Sequence, residues 1–190
     1  MKRSLLVVAL ASLCAVPAAS SAQGFGIKGG LSYGQAPNGN GVLPGTLSGN
    51  SGFAIGVGLS TGGLLGFGVE GLYAQRGFKS SVTGNSQKLT YVDVPLYLKL
   101  TLPIPAVTPF AYAGPQGSFE MGCDGGVCPS GHAKTTYAGV IGAGLKFGML
   151  GGLSLEGRYV YGVTNLNYGT VSNPVNYQPR SFMLLAGIGF

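Results

Sequence analysis

Along most of the chain after residue 22, large apolar side chains alternate with small or polar ones. In segment 25–34 the apolar positions are Phe25, Ile27, Leu31 and Tyr33, and in segment 92–100 they are Val92, Val94, Leu96, Leu98 and Leu100. Alternation with a period of two is typical of a strand with two different faces. The pattern predicts eight strands, each of roughly ten residues, the length that a tilted strand needs to cross a bilayer.

The connections between these strands alternate between short and long. Those after the second, fourth and sixth strands are short (62–63, 103–108 and 148–152), and the others are long (35–51, 78–87, 120–134 and 163–179). Outer-membrane barrels have short periplasmic turns and long external loops. The sequence therefore predicts an all-β fold, an eight-stranded antiparallel transmembrane β-barrel in up-and-down meander order, with both ends on the periplasmic side.

Charge separates the two faces of the predicted strands. In every strand whose phase is clear, the charges share one face, which carries Lys28, Glu70, Arg76, Asp93, Lys99, Lys146, Glu156 and Arg158. A Lys or Arg facing lipid at the midplane costs about 2–4 kcal/mol, so this face is predicted to line the lumen and the apolar face to contact outer-membrane lipid. The phase of the fifth strand, 109–119, is not readable.

A soluble lipocalin-like barrel is the inverted alternative, with bulky apolar groups inside and polar groups outside. The charged face is rich in Gly, Ala and Ser, which suits a narrow lumen better than a solvated exterior. Aromatic residues also fall near the predicted strand ends, as in the two girdles of a membrane barrel. They are Phe25, Phe147 and Phe190 at the periplasmic end, and Tyr33, Tyr73, Tyr137, Tyr159 and Tyr161 at the external end.

Composition and the amino terminus agree with export to the outer membrane of a bacterial cell. Only 8% of residues are charged, against roughly 25% in soluble domains. After residue 22 there is no apolar run long enough for a transmembrane helix. Lys2 and Arg3, the apolar stretch 5–16 and the small residues 20–22 predict a signal peptide over 1–22, cleaved before Gln23. The barrel domain would then span 23–190.

The formal net charge of +6 raises the question of nucleic-acid binding. Such proteins present a basic patch or stripe on one face. The basic residues of this chain are scattered and form no cluster. We therefore expect no nucleic-acid partner.

Two segments resemble a known family. Segment 90–99 (TYVDVPLYLK), with Pro95 and Lys99, resembles the central strand of the small outer membrane protein beta-barrel domain family. Segment 108–115 (TPFAYAGP) resembles the next strand of that family. Its members are often labelled porin family proteins, and the secretion factor PorT is a relative. The terminal Phe190 is similar to the signal that the barrel-insertion machinery recognises, which implies that machinery as a partner during biogenesis. Pro95 predicts a bulge or a gap in the ladder, because it has no N–H to donate.

The third long loop contains the residues that could carry chemistry. Cys123 and Cys128 predict a local disulfide, since exported proteins fold under oxidising conditions. A metal site that adds His132 is the alternative, but it lacks a clear fourth ligand, so no metal and no cofactor are expected. Ser130, His132 and Asp124 share this loop without anything to fix a triad. The sequence therefore predicts that the protein is not an enzyme.

The interior of an eight-stranded barrel is just wide enough for side chains to fill. Buried charges need partners, so an internal network is predicted from Glu70, Arg76, Asp93, Lys99, Glu156 and Arg158. A filled or narrow lumen favours a structural or interaction role through the external loops, with a possible protein partner there. A small-solute porin is the alternative, and a membrane-embedded enzyme is less favoured than either. A PorT-like role would also imply protein partners.

Overall fold

The computed structural model describes residues 23–35, 47–80, 86–124, 135–148, 152–164, 166–168, 175–178 and 180–189. The predicted signal peptide and Phe190 lie outside these ranges. The strands are β1 (Gln23–Gly34), β2 (Leu47–Thr61), β3 (Leu65–Ser80), β4 (Ser86–Thr101), β5 (Val107–Asp124), β6 (Thr135–Phe147), β7 (Leu153–Gly162), β8 (Leu166–Tyr168), β9 (Val175–Tyr177) and β10 (Arg180–Ile188). No helix among the described residues is long and apolar enough to cross a membrane.

Eight of the strands close into a barrel in the order β1-β10-β7-β6-β5-β4-β3-β2. Neighbours in this order pair antiparallel, and β10 closes the barrel on β1, for example through Gly29 opposite Ala186 and Tyr33 opposite Phe182. Closure gives each of the eight barrel strands two hydrogen-bonded neighbours. The predicted eight-stranded antiparallel meander is therefore confirmed.

The last long connection contains a feature that the alternation does not predict. Strands β8 and β9 form a separate two-stranded hairpin between β7 and β10. Each is three residues long, too short to give a recognisable period-two signal. The hairpin is therefore a separate sheet within the long connection between β7 and β10.

Each wall strand has a buried face and an exposed face, as its alternation predicts. On β10, Ser181, Met183 and Leu185 are buried, whereas Leu184 and Ile188 are exposed. The phase of β5 is now clear. Phe110 and Tyr112 lie inside, and Ala111 and Ala113 lie outside. In this part of the strand two aromatic residues face the lumen and two alanines face out, the reverse of the pattern on β1, so the sequence pattern conceals the phase.

Pro95 interrupts the ladder without shifting it. On one side of β4 the pairing runs from Val69–Leu96 to Leu72–Asp93 in a constant register. The predicted gap at this proline is thus present and no bulge accompanies it. Bulges occur elsewhere, between Asn50 and Ala54 and between Thr90 and Tyr91.

Strands β3, β4 and β5 are 16, 16 and 18 residues long, whereas a tilted strand needs about 9–11 residues to cross a bilayer. All three reach the short turns at one end, so the surplus extends beyond the bilayer on the side of the long loops. Strand structure therefore continues into the predicted loops 78–87 and 120–134. The alternation of apolar and polar residues is weaker there, because these parts of the strands contact neither lipid nor a packed lumen.

The exposed apolar face gives a depth-dependent prediction. Leu96 is 55% exposed at the middle of the apolar row of β4, and Leu102 is 47% exposed just beyond the strand. Leu96→Arg should lower the free energy of unfolding by about 2–4 kcal/mol, because the charge enters the bilayer midplane, and Leu102→Arg by about 0–1 kcal/mol. Denaturant titration of the two variants in lipid vesicles measures both values. Equal costs at the two positions would contradict the placement of the midplane.

Candidate functional site

The eight charged residues of the predicted lumen face all lie on the inward side of the wall. Seven are buried and Lys146 is half-buried. They separate into three groups along the barrel axis. A central network joins Lys28, Glu70, Glu156 and Arg158, the pair Arg76–Asp93 lies towards the long loops, and Lys99 and Lys146 lie near the short turns.

The central network holds two cations and two carboxylates. The ammonium nitrogen Nζ of Lys28 lies 2.8 Å from a carboxylate oxygen of Glu70 and 2.8 Å from one of Glu156. Atom Nη2 of Arg158 lies 2.6 Å from Glu70 Oε2 and 2.9 Å from Glu156 Oε1. Each cation bridges both carboxylates, so the buried charge is balanced. Such balance is what makes a buried cluster of ions tolerable.

Two tyrosines complete this network. The Tyr97 hydroxyl donates to Glu70 Oε1 at 2.5 Å, and the Tyr112 hydroxyl donates to Glu156 Oε1 at 2.9 Å. Tyr112 also accepts a hydrogen bond from Arg158 Nε at 2.7 Å. The two tyrosine rings pack with their centroids 4.6 Å apart. The hydroxyls satisfy carboxylate lone pairs, and the rings fill the space beside the ions.

The network spans the full width of the barrel. Its charges come from β1, β3 and β7, and Tyr112 adds β5, so every second wall strand contributes. In the closed order β3 and β7 are four strands apart in a ring of eight, which places them on opposite walls. The contact between Arg158 and Glu70 therefore crosses the lumen. Side chains from opposite walls thus meet at this level of the lumen.

Glycines make room for the tyrosines. A Cβ built on Gly68 would overlap the ring of Tyr97, and one built on Gly142 would overlap the ring of Tyr112. Both glycines lie on the inward face of their strands, β3 and β6. Glycine is required at these two positions because aromatic rings approach the backbone closely.

The ion pair nearer the long loops, Arg76–Asp93, has only two charged members. Arg76 Nη2 contacts Asp93 Oδ2, and the guanidinium of Arg76 lies 5.2 Å from the centre of the Tyr91 ring. Arg76 Nε, Asp93 Oδ1 and the side-chain oxygen of Gln116 are buried without a partner among the described residues. Polar atoms of this kind are usual binding points for ordered water. This level of the lumen is polar and has three such atoms, whereas the central network has one, Arg158 Nη1.

The charges predicted from sequence to form one internal network are divided in the structure, because Arg76 and Asp93 form a separate pair. Lys28, predicted on the lumen face, contacts both carboxylates of the central network. It does so because closure of β10 onto β1 places Lys28 two strands from β3 and two from β7. Lys99 was included, but it forms no ion pair with a described residue, and its Nζ lies 4.6 Å from the centre of the Phe110 ring. Tyr112 was missed because the phase of β5 was not readable.

The residues predicted to carry chemistry in the third long loop are only partly described. Cys123 and Asp124 end β5, whereas Cys128, Ser130 and His132 lie outside the described residues. The disulfide, the alternative metal site and the triad arrangement therefore stay predictions. The assembly signal at Phe190 has the same status.

Comparison with known proteins supports the membrane interpretation of this geometry. The sequence model of the family described as "Outer membrane protein beta-barrel domain" matches residues 6–190. The chain belongs to this family. Membership of this family indicates the bacterial outer membrane as the location of the barrel. No curated protein matches its sequence.

Solved structures with a similar fold are small outer-membrane proteins. AlkL, solved by solid-state NMR in lipid bilayers, is 16% identical with a TM-score of 0.57, over 92% of this chain and 94% of its own. Neisserial surface protein A is 13% identical with a TM-score of 0.50, over 87% and 97%. The outer membrane enzyme PagL is 16% identical with a TM-score of 0.47, over 89% and 100%. At these identities the likeness concerns the fold alone.

The glycines beside the tyrosines give a test of the packed centre. Gly68→Ala and Gly142→Ala should each destabilise the barrel by about 1–3 kcal/mol, because a methyl group would overpack the rings of Tyr97 and Tyr112. Gly71 on β3 and Gly139 on β6 are matched controls, because a Cβ at either position meets nothing within 4 Å. The measurement is the temperature at which the folded band on a gel converts to the unfolded one. If this temperature fell as far in the two control variants as in Gly68→Ala and Gly142→Ala, the result would contradict close packing of the tyrosine rings against the inward glycines.

Proposed function

We propose that this protein is a non-conducting outer-membrane barrel that acts through its outer rim and external loops. The observation that carries the proposal is the contact between Arg158 and Glu70, which joins opposite walls across the lumen at 2.6 Å. The exported chain would begin at Gln23 after cleavage of the predicted signal peptide. The predicted disulfide between Cys123 and Cys128 would hold one external loop.

The chemistry of the central network favours a permanently filled centre. Opening a passage would separate Arg158 or Lys28 from carboxylates that these cations share. Breaking one partner from a buried ion pair costs about 3–5 kcal/mol. The rings of Tyr97 and Tyr112 between the walls would also have to move. They lie close to the backbone at Gly68 and Gly142. A passage for solutes therefore has no low-energy route through this level.

The outer rim has the features of a surface that presents loops to a partner. Strands β3, β4 and β5 extend beyond the length needed to cross the bilayer. The hairpin of β8 and β9 follows β7, and near its base the Tyr161 hydroxyl lies 3.1 Å from Gln178 Oε1. The guanidinium of Arg180 packs 4.7 Å from the centre of the Tyr161 ring. Loops on a rigid scaffold are where proteins usually place binding residues.

Single-channel recording of the refolded mature protein in a planar bilayer separates this proposal from a small-solute porin. We expect the native protein to show no current steps. The triple variant Glu70→Ala/Tyr112→Ala/Arg158→Ala should conduct, because it removes the crossing contact and one ring. The triple variant keeps the ion pair between Lys28 and Glu156, which are 2.8 Å apart and whose charges cancel.

Tyr137→Ala is the control for that experiment, because Tyr137 is 62% exposed on the outer face. This variant should stay silent. Folding of each variant is checked by gel mobility before and after boiling. Steady steps from the native protein would overturn the proposal and favour the porin.

A further inference from the structure

A cavity of about 350 Å³ lies inside the barrel at the end of the short turns. The β2–β3 turn at Gly62 and Gly63 contributes to its wall, and Phe110 contributes from β5. Its polar lining consists of two ammonium groups and four hydroxyls, from Lys99, Lys146, Ser60, Thr61, Thr101 and Thr108. The short turns of such barrels face the periplasm. The cavity therefore lies at the periplasmic mouth, below the central network.

Lys99 is a buried cation that forms no ion pair with a carboxylate of the described residues. It is 8% exposed, and Lys146 is half-buried beside the same cavity. Neither forms an ion pair with any residue in the described ranges. The carboxylates of Glu70 and Glu156 are already shared between Lys28 and Arg158. Burying a cation without an anion is costly, so the cavity is electrostatically prepared for a negative ligand.

The hydroxyls around the two lysines can supply hydrogen bonds to such a ligand. Thr61 Oγ1 accepts from the N–H of Phe67 at 2.8 Å, so this hydroxyl is occupied by the β2–β3 turn. Ser60, Thr101 and Thr108 make no side-chain hydrogen bond within the described part of the chain. Among the lining residues that the structure describes, these three hydroxyls and the two ammonium groups can donate hydrogen bonds, and no carboxylate lies beside them.

We propose that this cavity binds a phosphate group at the periplasmic mouth of the barrel. Lysine is a common phosphate ligand that acts as a point charge. Phosphate offers several acceptor oxygens, which match the two ammonium groups and the hydroxyls of the described lining. The phosphate group belongs either to a soluble ion or ester in the periplasm or to the headgroup of a phospholipid of the inner leaflet. The site does not depend on whether the lumen conducts.

Calorimetric titration of inorganic phosphate into the folded barrel in a phosphate-free maltoside detergent tests the proposal. Native protein should bind phosphate more tightly than chloride at the same ionic strength. Lys99→Met, which keeps an apolar stem over Phe110, should weaken binding by about tenfold or more, equivalent to about 1.4 kcal/mol. Lys146→Met should weaken it as well, and it decides the question if Lys99→Met does not fold.

Lys88→Met is the matched control, because Lys88 is exposed at the opposite end of the same strand as Lys99. It should leave phosphate binding unchanged. Competition by phosphatidylglycerol added to the micelles would assign the group to a lipid headgroup, and lack of competition would assign it to a soluble phosphate. Phosphate binding no tighter than chloride, or equal losses in Lys88→Met and Lys99→Met, would overturn the proposal.

Discussion

The interior of this barrel depends on the contact between Arg158 and Glu70. An eight-stranded wall encloses a narrow space, and the sequence fills its centre with ions as well as apolar groups. The buried ions are tolerated because the charges of two cations and two carboxylates balance. Lys28 and Arg158 each contact both Glu70 and Glu156. The network ties every second strand of the wall to the others.

The rest of the lumen is arranged around that centre. Tyr97 and Tyr112 satisfy the carboxylates and fill the remaining volume, and inward glycines allow their rings to lie against the wall. Because both carboxylates at this level are fully used, the lysines below them have no acidic partner among the described residues. The central network therefore leaves positive charge at the end of the lumen near the short turns. The proposed closure and the proposed phosphate site would both follow from this one distribution of charge.

Much of the fold could be predicted from the sequence because the lipid imposes a strict rule. A charge facing the hydrocarbon is expensive, so Lys28 and Glu70 identify the lumen face of their strands without any structure. The partners within the lumen could not be predicted, because they depend on which walls closure brings opposite one another. Lys28 reaches both carboxylates only through the β1–β10 seam. Phe110 and Tyr112 could not be assigned to the lumen face from the sequence, because β5 places small residues on its outer face.

A double-mutant cycle between Arg158 and Glu70 tests the central claim most directly. The free energy of unfolding in lipid vesicles is measured for the native protein, Arg158→Met, Glu70→Gln and the double variant. A contact across the lumen predicts a coupling energy of about 1.5–3 kcal/mol between two residues 88 positions apart in the chain. Additive effects, with a coupling energy near zero, would show that the two walls are not joined through these side chains and would contradict the closed centre.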